Sequence, residues 1–290
     1  MSVDVQGLEE LTLRVDSFAY DALASGPSGG QLVLLLHGWP QFADSWAPLL
    51  RSLGAAGYRA VAVDQRGYSP GARPDDVAAY GIGALTGDVL SFADQLGAKR
   101  FHLVSHDWGA IVGWHLASDH PERLLSFTTL ATPHLAALAE ARASDPDQQA
   151  RSAYIGIFRL PGGVAERTLL ADDAAKLRAV YQGKPSPEEI ESNVRRLTEP
   201  GALTAVLNWY RAYEFVTLPG PVSVPTLYLW GTDDLALGER AARGTAAHVT
   251  GPYRFEALAG TSHWIVDEIP ERVASEVLAH LGTYGATASA

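Results

Sequence analysis

Short apolar runs, separated by helical stretches, constrain the fold of this chain more than any other feature of the sequence. The runs are QLVLLLHG (31–38), YRAVAVD (58–64), FHLVS (101–105), LLSFTTLA (124–131) and TLYLW (226–230). Continuous apolar runs of this length are typical of strands that are buried on both faces of a sheet. Strands that alternate with helices predict an α/β fold, with a mostly parallel central sheet and helices on both faces.

The alternation stops between residues 134 and 218. The patterns there are helical only: HLAALAEARA, GGVAERTLLADDAAKLRAV, SPEEIESNVRRL and ALTAVLNWYRAYEF. An all-helical insertion in an α/β domain is predicted to cover the carboxyl edge of the sheet, where ligands bind. The predicted domains are therefore a core of residues 1–133 and 219–290 and a helical cap of residues 134–218.

Charge and composition exclude several classes of function. The formal net charge of −11 leaves no basic surface for nucleic acid. The chain has no cysteine, so thiolate catalysis and zinc–thiolate sites are excluded. The first residues lack a signal-peptide pattern, and no apolar run is long enough to span a membrane. These observations predict a cytoplasmic protein without a membrane partner, as a monomer or a homodimer.

The stretch FHLVSHDWGAIVG contains two candidate nucleophiles at a strand–turn–helix junction, Ser105 and Asp107. A nucleophile on such a tight turn requires small residues two positions before and two positions after it. Around Ser105 those positions hold Leu103 and Asp107, and neither is small. Around Asp107 they hold Ser105 and Gly109, and both are small. The spacing predicts that Asp107 is the nucleophile and that Ser105 has no chemical role.

A carboxylate nucleophile restricts the reaction. It can attack a saturated carbon in an in-line displacement and form an ester that water can open. A serine in the same reaction would become a stable ether, and the enzyme would stop after one turnover. Asp107 therefore predicts cleavage of a carbon–oxygen or carbon–halogen bond at a saturated carbon.

An acid and a base follow the nucleophile in the expected chain order. LYLWGTDD places two carboxylates after a strand; Asp234 is predicted to orient an imidazole and Asp233 to face solvent. GTSHW places His263 on a loop before the last helix, where it is predicted to be the base. The backbone N–H groups of Trp39, in HGWP, and Trp108 are predicted to form an oxyanion hole.

HGWP, DQRGYS, SHDWGA, WGTDD and GTSHW, in this order and spacing, resemble enzymes of the α/β-hydrolase fold over nearly the whole chain. An aspartate at this strand–turn–helix junction, followed by Trp–Gly, resembles the nucleophile motif of the soluble epoxide hydrolases and the haloalkane dehalogenases. Epoxide hydrolases of this fold hold the epoxide oxygen with two tyrosines of the lid. SAYIGIFRLPGG and LNWYRAYE resemble their two tyrosine stretches, which implies this role for Tyr154 and Tyr210.

The resemblance favours the epoxide hydrolases over the dehalogenases. Haloalkane dehalogenases usually have Asn after His–Gly, where this chain has Trp39, and fluoroacetate-type dehalogenases have Arg where it has Trp108. The resemblance implies hydrolysis of an epoxide to a vicinal diol through an ester on Asp107, opened by water that His263 and Asp234 activate, without metal or organic cofactor. A haloalkane dehalogenase with the same triad and a non-catalytic ligand receptor remain alternatives.

Aromatic residues near the predicted site indicate an apolar substrate pocket. The predicted pocket residues are Trp39, Trp108, Phe158, Trp209 and Trp264. Packing in the protein core is an equally good interpretation of Trp209 and Trp264.

Overall fold

The structure, a computed structural model, describes residues 5–213 and 217–285. These residues form one eight-stranded sheet with the strand order β1-β2-β4-β3-β5-β6-β7-β8. β1 and β2 are antiparallel to their neighbours, and the other six strands, β3 to β8, are parallel to one another. The strands are β1 (Glu9–Val15), β2 (Phe18–Ser25), β3 (Leu32–Leu36), β4 (Arg59–Val63), β5 (Phe101–His106), β6 (Leu124–Leu130), β7 (Thr226–Gly231) and β8 (Tyr253–Leu258).

Burial explains why the central strands are recognisable from the sequence. All residues of β3, β5, β6 and β7 are buried, as expected where helices cover both faces of a parallel sheet. The edge strand β1 is mostly exposed and keeps only Leu13 fully buried. The predicted mostly parallel sheet is confirmed, and an antiparallel pair of strands, β1 and β2, precedes it in the chain.

Helices cover the sheet and follow its strands. Helix α1 (Ala47–Ala55) packs against α12 (Pro270–Tyr284), and α2 (Ile82–Gln95) packs against α3 (Trp108–Asp119). The helices are α1 (Ala47–Ala55), α2 (Ile82–Gln95), α3 (Trp108–Asp119), α4 (Leu135–Ser144), α5 (Pro146–Arg151), α6 (Tyr154–Phe158), α7 (Val164–Val180), α8 (Pro187–Leu197), α9 (Ala202–Ala212), α10 (Glu239–Gly244), α11 (Ile265–Glu268) and α12 (Pro270–Tyr284). None of the helices in the described ranges is both long and apolar enough to cross a membrane.

The chain between β6 and β7 forms helices α4–α9 and, in its described part, no strand. We call this segment the helical insertion. The predicted helix in ALTAVLNWYRAYEF ends at Ala212, and residues 214–216 lie outside the described residues. Side chains of the insertion contact the core directly: Tyr181 Oη donates to the Pro40 carbonyl at 2.7 Å. These contacts agree with a helical layer over the sheet, while the exact division into core and cap stays a prediction.

Candidate active site

The turn from β5 into α3 holds Asp107 in a backbone conformation that is rare for a residue with a side chain, with φ 50° and ψ −118°. The turn has no room for larger neighbours. A Cβ on Gly109 would lie 2.3 Å from the Leu36 carbonyl oxygen, and one on Gly38 would lie 2.3 Å from Asp107 Oδ1. A strained conformation that is held so tightly is typical of functional sites.

Ser105, the alternative nucleophile, is fully buried in β5. Its hydroxyl donates to the Thr128 carbonyl of the adjacent strand β6 at 3.2 Å. A Cβ on Gly113 would come within 3.1 Å of the same hydroxyl. The Ser105 hydroxyl is thus engaged inside the sheet.

The two oxygens of the Asp107 carboxylate have different partners. Oδ1 accepts the backbone N–H of Trp39 at 2.7 Å. Oδ2 lies 3.6 Å from Nε2 of His263. A backbone hydrogen bond from Trp108 also stabilises the carboxylate. The arrangement leaves Oδ2 as the oxygen that faces the imidazole.

The imidazole of His263 is held from its other side by Asp234. Nδ1 of His263 lies 2.8 Å from Asp234 Oδ2. Asp234 Oδ1 accepts the backbone N–H groups of Ala236 and Leu237, at 2.7 and 3.0 Å. Asp234 is buried, whereas Asp233 is exposed. The pairing fixes the tautomer in which Nδ1 of His263 carries a proton.

The charges of Asp107, His263 and Asp234 shift the pKa values of Asp107 and His263 in opposite directions. Burial alone would lower the pKa of His263, but the negative charges of Asp234 and Asp107 outweigh it and raise that pKa above its ordinary value. Burial alone would raise the pKa of Asp107, but the close contact with His263 and its positive charge outweigh burial and lower that pKa. Both shifts favour the ionised forms, an anionic Asp107 and a protonated His263, in the resting site.

Two further histidines near the site have low proton affinity. Burial lowers the pKa of His37 and of His106 to about 4 in each case. His37 Nε2 accepts the Gln65 N–H at 3.3 Å, so this ring links the loop after β3 to the loop after β4. His106 Nε2 donates to the His263 carbonyl at 3.0 Å, and its ring lies 4.8 Å from the His263 ring. Both rings are neutral and support the loops of the site.

A cavity of about 300 Å³ opens above Asp107 and His263. Most of its lining is apolar and comes from the helical insertion and from the loops at the carboxyl edge of the sheet. The lining residues are Trp39, Asp107, Arg151, Tyr154, Phe158, Leu169, Val180, Gln182, Leu235, Ala236, His263 and Trp264. The cavity has the size and the concave apolar character of a site for a small organic molecule.

The two predicted tyrosines lie next to each other, on α6 and α9. Their rings are 6.3 Å apart. Tyr154 lines the cavity; Tyr210 is not among the described residues that line it, but its ring contacts Trp39 and Phe158, which do. The Tyr210 hydroxyl is buried and has no well-formed hydrogen bond to any described residue. Burial, reinforced by the nearby charge of Asp107, raises the pKa of Tyr154 and of Tyr210, so both phenols stay protonated.

The predicted pocket aromatics divide into two groups. Three line the cavity: Trp39, Phe158 and Trp264. Trp108 and Trp209 are not among the described lining residues and pack against each other with ring centroids 5.7 Å apart. The Trp209 indole N–H donates to the Arg66 carbonyl at 2.8 Å, which is a core contact between the insertion and the sheet domain. The position of Trp209 agrees with packing, and that of Trp264 with the pocket.

Several lining residues had no identifying signal in the sequence. Arg151 and Gln182 are the polar ones, and Leu169, Val180 and Leu235 are apolar. Leucines and valines of an amphipathic helix have the same spacing whether they face a cavity or a core. Only the folded positions of the insertion and of the loop after β7, which carries Leu235, identify them.

Comparison with known proteins adds to this geometry. A family model described as the alpha/beta hydrolase fold matches residues 31–270. The AB hydrolase superfamily protein YfhM of Bacillus subtilis is 34% identical over 285 residues, covering 96% of this chain and 99% of that protein. Epoxide hydrolase A of Mycobacterium tuberculosis is 33% identical over 302 residues, covering 89% and 92%. The crystal structure of epoxide hydrolase A from Mycobacterium thermoresistibile superposes with a TM-score of 0.80 at 28% identity, covering 95% of this chain and 98% of that one.

Proposed function

The chain belongs to the α/β-hydrolase family, in its epoxide hydrolase branch, and from this membership we propose that it converts an apolar epoxide to a vicinal diol through an ester on Asp107. One observation carries the proposal: the Asp107 carboxylate, the His263 imidazole and the Tyr154 phenol line the same apolar cavity. A carboxylate supplies the nucleophile, a phenol supplies a proton for the departing oxygen, and an imidazole supplies a base for water.

In the proposed first step, Oδ2 of Asp107 attacks a ring carbon of the epoxide. The new carbon–oxygen bond forms as the ring carbon–oxygen bond breaks. The departing oxygen accepts hydrogen bonds from Tyr154 and Tyr210 and takes a proton from one of them. The phenolate regains a proton from the His263 imidazolium, which is a stronger acid once esterification has removed the charge of Asp107.

In the proposed second step, neutral His263 takes a proton from water, and the water oxygen attacks the carbonyl carbon of the ester. The developing oxyanion on Oδ1 is stabilised by the N–H groups of Trp39 and Trp108, each donor worth roughly 2.7–4 kcal/mol in related sites. The bond between the carboxyl carbon and the alkyl oxygen then breaks, and this oxygen takes the proton from His263. The diol leaves, and the proton of the regenerated carboxyl group returns to His263.

The cavity supports a small, mostly apolar epoxide. Trp39, Phe158 and Trp264 offer aromatic surface to such a substrate. A direct test is to incubate the protein separately with an aryl epoxide and with a bromoalkane, and to measure diol and bromide. Diol alone supports the proposal. Bromide release with no diol would instead support a haloalkane dehalogenase, and neither product would support a ligand receptor.

We expect His263→Gln to stop the second step far more than the first. Displacement by Asp107 requires no base, whereas ester hydrolysis does, and general base catalysis contributes about 10²–10⁴-fold. After incubation with the aryl epoxide, intact-protein mass spectrometry should show an adduct, and peptide mapping should place it on Asp107. Unmodified protein, in a variant that still binds the epoxide, would contradict the ester mechanism.

The wild-type protein should accumulate the same ester at low pH. Asp107 and Asp234 together raise the pKa of His263 in the resting site, and esterification removes the Asp107 contribution. The pKa of His263 therefore falls in the ester, and hydrolysis slows as the pH decreases through this lower value. Ring opening persists there because the pKa of Asp107 is lowered in the resting site. Quenched-flow mass spectrometry should find more adduct at pH 5.5 than at pH 8; the reverse order would rule out His263 as the base.

A further inference from the structure

A buried glutamine connects the helical insertion to the loop that carries Asp234. Gln148 lies in α5 and is fully buried. Its Oε1 accepts the Gly238 N–H at 2.8 Å. Its Nε2 donates to the Ala236 carbonyl at 2.9 Å and to the Ser152 hydroxyl at 3.0 Å. The amide thus uses its acceptor and both donor positions, two of the three bonds being to the loop of Asp234.

The peptide unit between Ala236 and Leu237 is held at both ends. Its carbonyl accepts from Gln148, and its N–H donates to Asp234 Oδ1 at 3.0 Å. A peptide unit is planar, so a bond that fixes the carbonyl also fixes the direction of the N–H. Gln148 holds the carbonyl at one edge of this peptide unit and thereby orients the N–H at the other edge, which is one of the two backbone donors to Asp234.

A second side chain of α5 supports the same loop. Arg151 donates from Nη1 to the carbonyl of Asp234 itself, and its Nε lies 2.6 Å from Asp147 in the same helix. One short helix of the insertion therefore contacts the backbone of the loop at Asp234, Ala236 and Gly238.

We infer that Gln148 is a positioning residue that keeps the Asp234 carboxylate aligned with His263. This inference rests on the proposed function, in which Asp234 acts through His263 when the ester is hydrolysed. The two oxygens of the carboxylate turn together, so a rotation that follows loss of the Leu237 bond at Oδ1 also misaligns the 2.8 Å contact of Oδ2 with His263. The resulting defect belongs to ester hydrolysis, because breaking the ring bond requires only the nucleophile and the phenols, and His263 returns a proton to the phenolate afterwards.

The test compares Gln148→Met with Gln149→Met, a matched change at the exposed neighbouring position of α5. Single-turnover mass spectrometry with the aryl epoxide gives the rates of ester formation and of ester loss. We expect Gln148→Met to slow ester loss roughly 10- to 100-fold, the scale of small misplacements in an active site. Ester formation should change less than about threefold, so the ester accumulates, and Gln149→Met should match the wild type in both steps.

Equal losses in both steps, or no change in either, would overturn the inference, because a residue that only stabilises the fold does not separate the two steps. Gln148→Glu covers the case in which the methionine variant does not fold. Its carboxylate keeps the volume and the acceptor for Gly238 but has no donor for the Ala236 carbonyl, so the same selective defect should appear in the ionised form and shrink as the carboxyl group is protonated. A wild-type protein that forms no ester at all would refute the proposed function, whereas ester without extra accumulation in either variant would refute only the role of Gln148.

Discussion

Replacing Asp107 with asparagine is expected to reduce turnover by at least about 10⁴-fold, the scale seen when a hydrolase loses its nucleophile. The fold should remain intact. Asparagine has nearly the same shape, tolerates a positive φ better than most residues, and can still accept the Trp39 N–H that Oδ1 of Asp107 accepts at 2.7 Å. What it lacks is the anionic oxygen that attacks the substrate in the proposed mechanism. Circular dichroism tests whether the fold remains intact, and the rate of diol formation measures the loss of turnover.

Ser105→Ala is the control for this experiment. Its hydroxyl makes one hydrogen bond, to the Thr128 carbonyl, so its loss should lower the free energy of unfolding by about 1 kcal/mol and leave diol formation near the wild-type rate. If Ser105→Ala abolished activity and Asp107→Asn did not, the nucleophile would be assigned to the wrong residue.

The tight turn that carries Asp107, between β5 and α3, could be predicted from the sequence because the limit on side-chain size there is steric and local. The carbonyl oxygens of Leu36 and His37 lie so close to Gly109 that a Cβ at this position would clash with both of them. The requirement for a small residue two positions after Asp107 therefore corresponds to a steric clash that the structure shows. Strand β3 was predictable for a similar reason, because it is buried on both faces and every one of its positions is apolar.

The functions of single residues in the helical insertion were much less predictable. Trp209 and Tyr210 are neighbours in the sequence and equally aromatic, yet the Trp209 indole bonds to the Arg66 carbonyl while the Tyr210 hydroxyl has no well-formed bond to any residue in the described ranges. The contact of Gln148 with Gly238 spans 90 positions of the chain. Helical periodicity indicates which face of a helix is buried but not which loop covers it.

Changing both Tyr154 and Tyr210 to phenylalanine is expected to nearly stop ring opening, and each single change should slow it by about 10²-fold or more, the lower range for general acid catalysis. An alkoxide that receives no proton is a poor leaving group. The positively charged donors of the cavity lining, His263 and Arg151, face the Asp107 carboxylate and the Asp234 carbonyl instead. The measurement is the rate of ester formation on Asp107 in a single turnover with the aryl epoxide.

The free energy of unfolding of each variant separates a loss of ring opening from damage to the fold. The Tyr210 hydroxyl is buried without a well-formed hydrogen bond to the described part of the chain, so removing it should leave the free energy of unfolding unchanged or slightly higher. Tyr181 is the matched control, since it is buried in the same insertion but does not line the cavity, and its hydroxyl donates to the Pro40 carbonyl at 2.7 Å. Tyr181→Phe should cost about 1 kcal/mol of stability and leave ring opening intact. Tyr210→Phe should instead leave stability nearly unchanged and slow ring opening, because in the proposed mechanism this protonated hydroxyl donates to the departing oxygen. If the double variant opened the epoxide at the wild-type rate, the two phenols would have no part in the reaction.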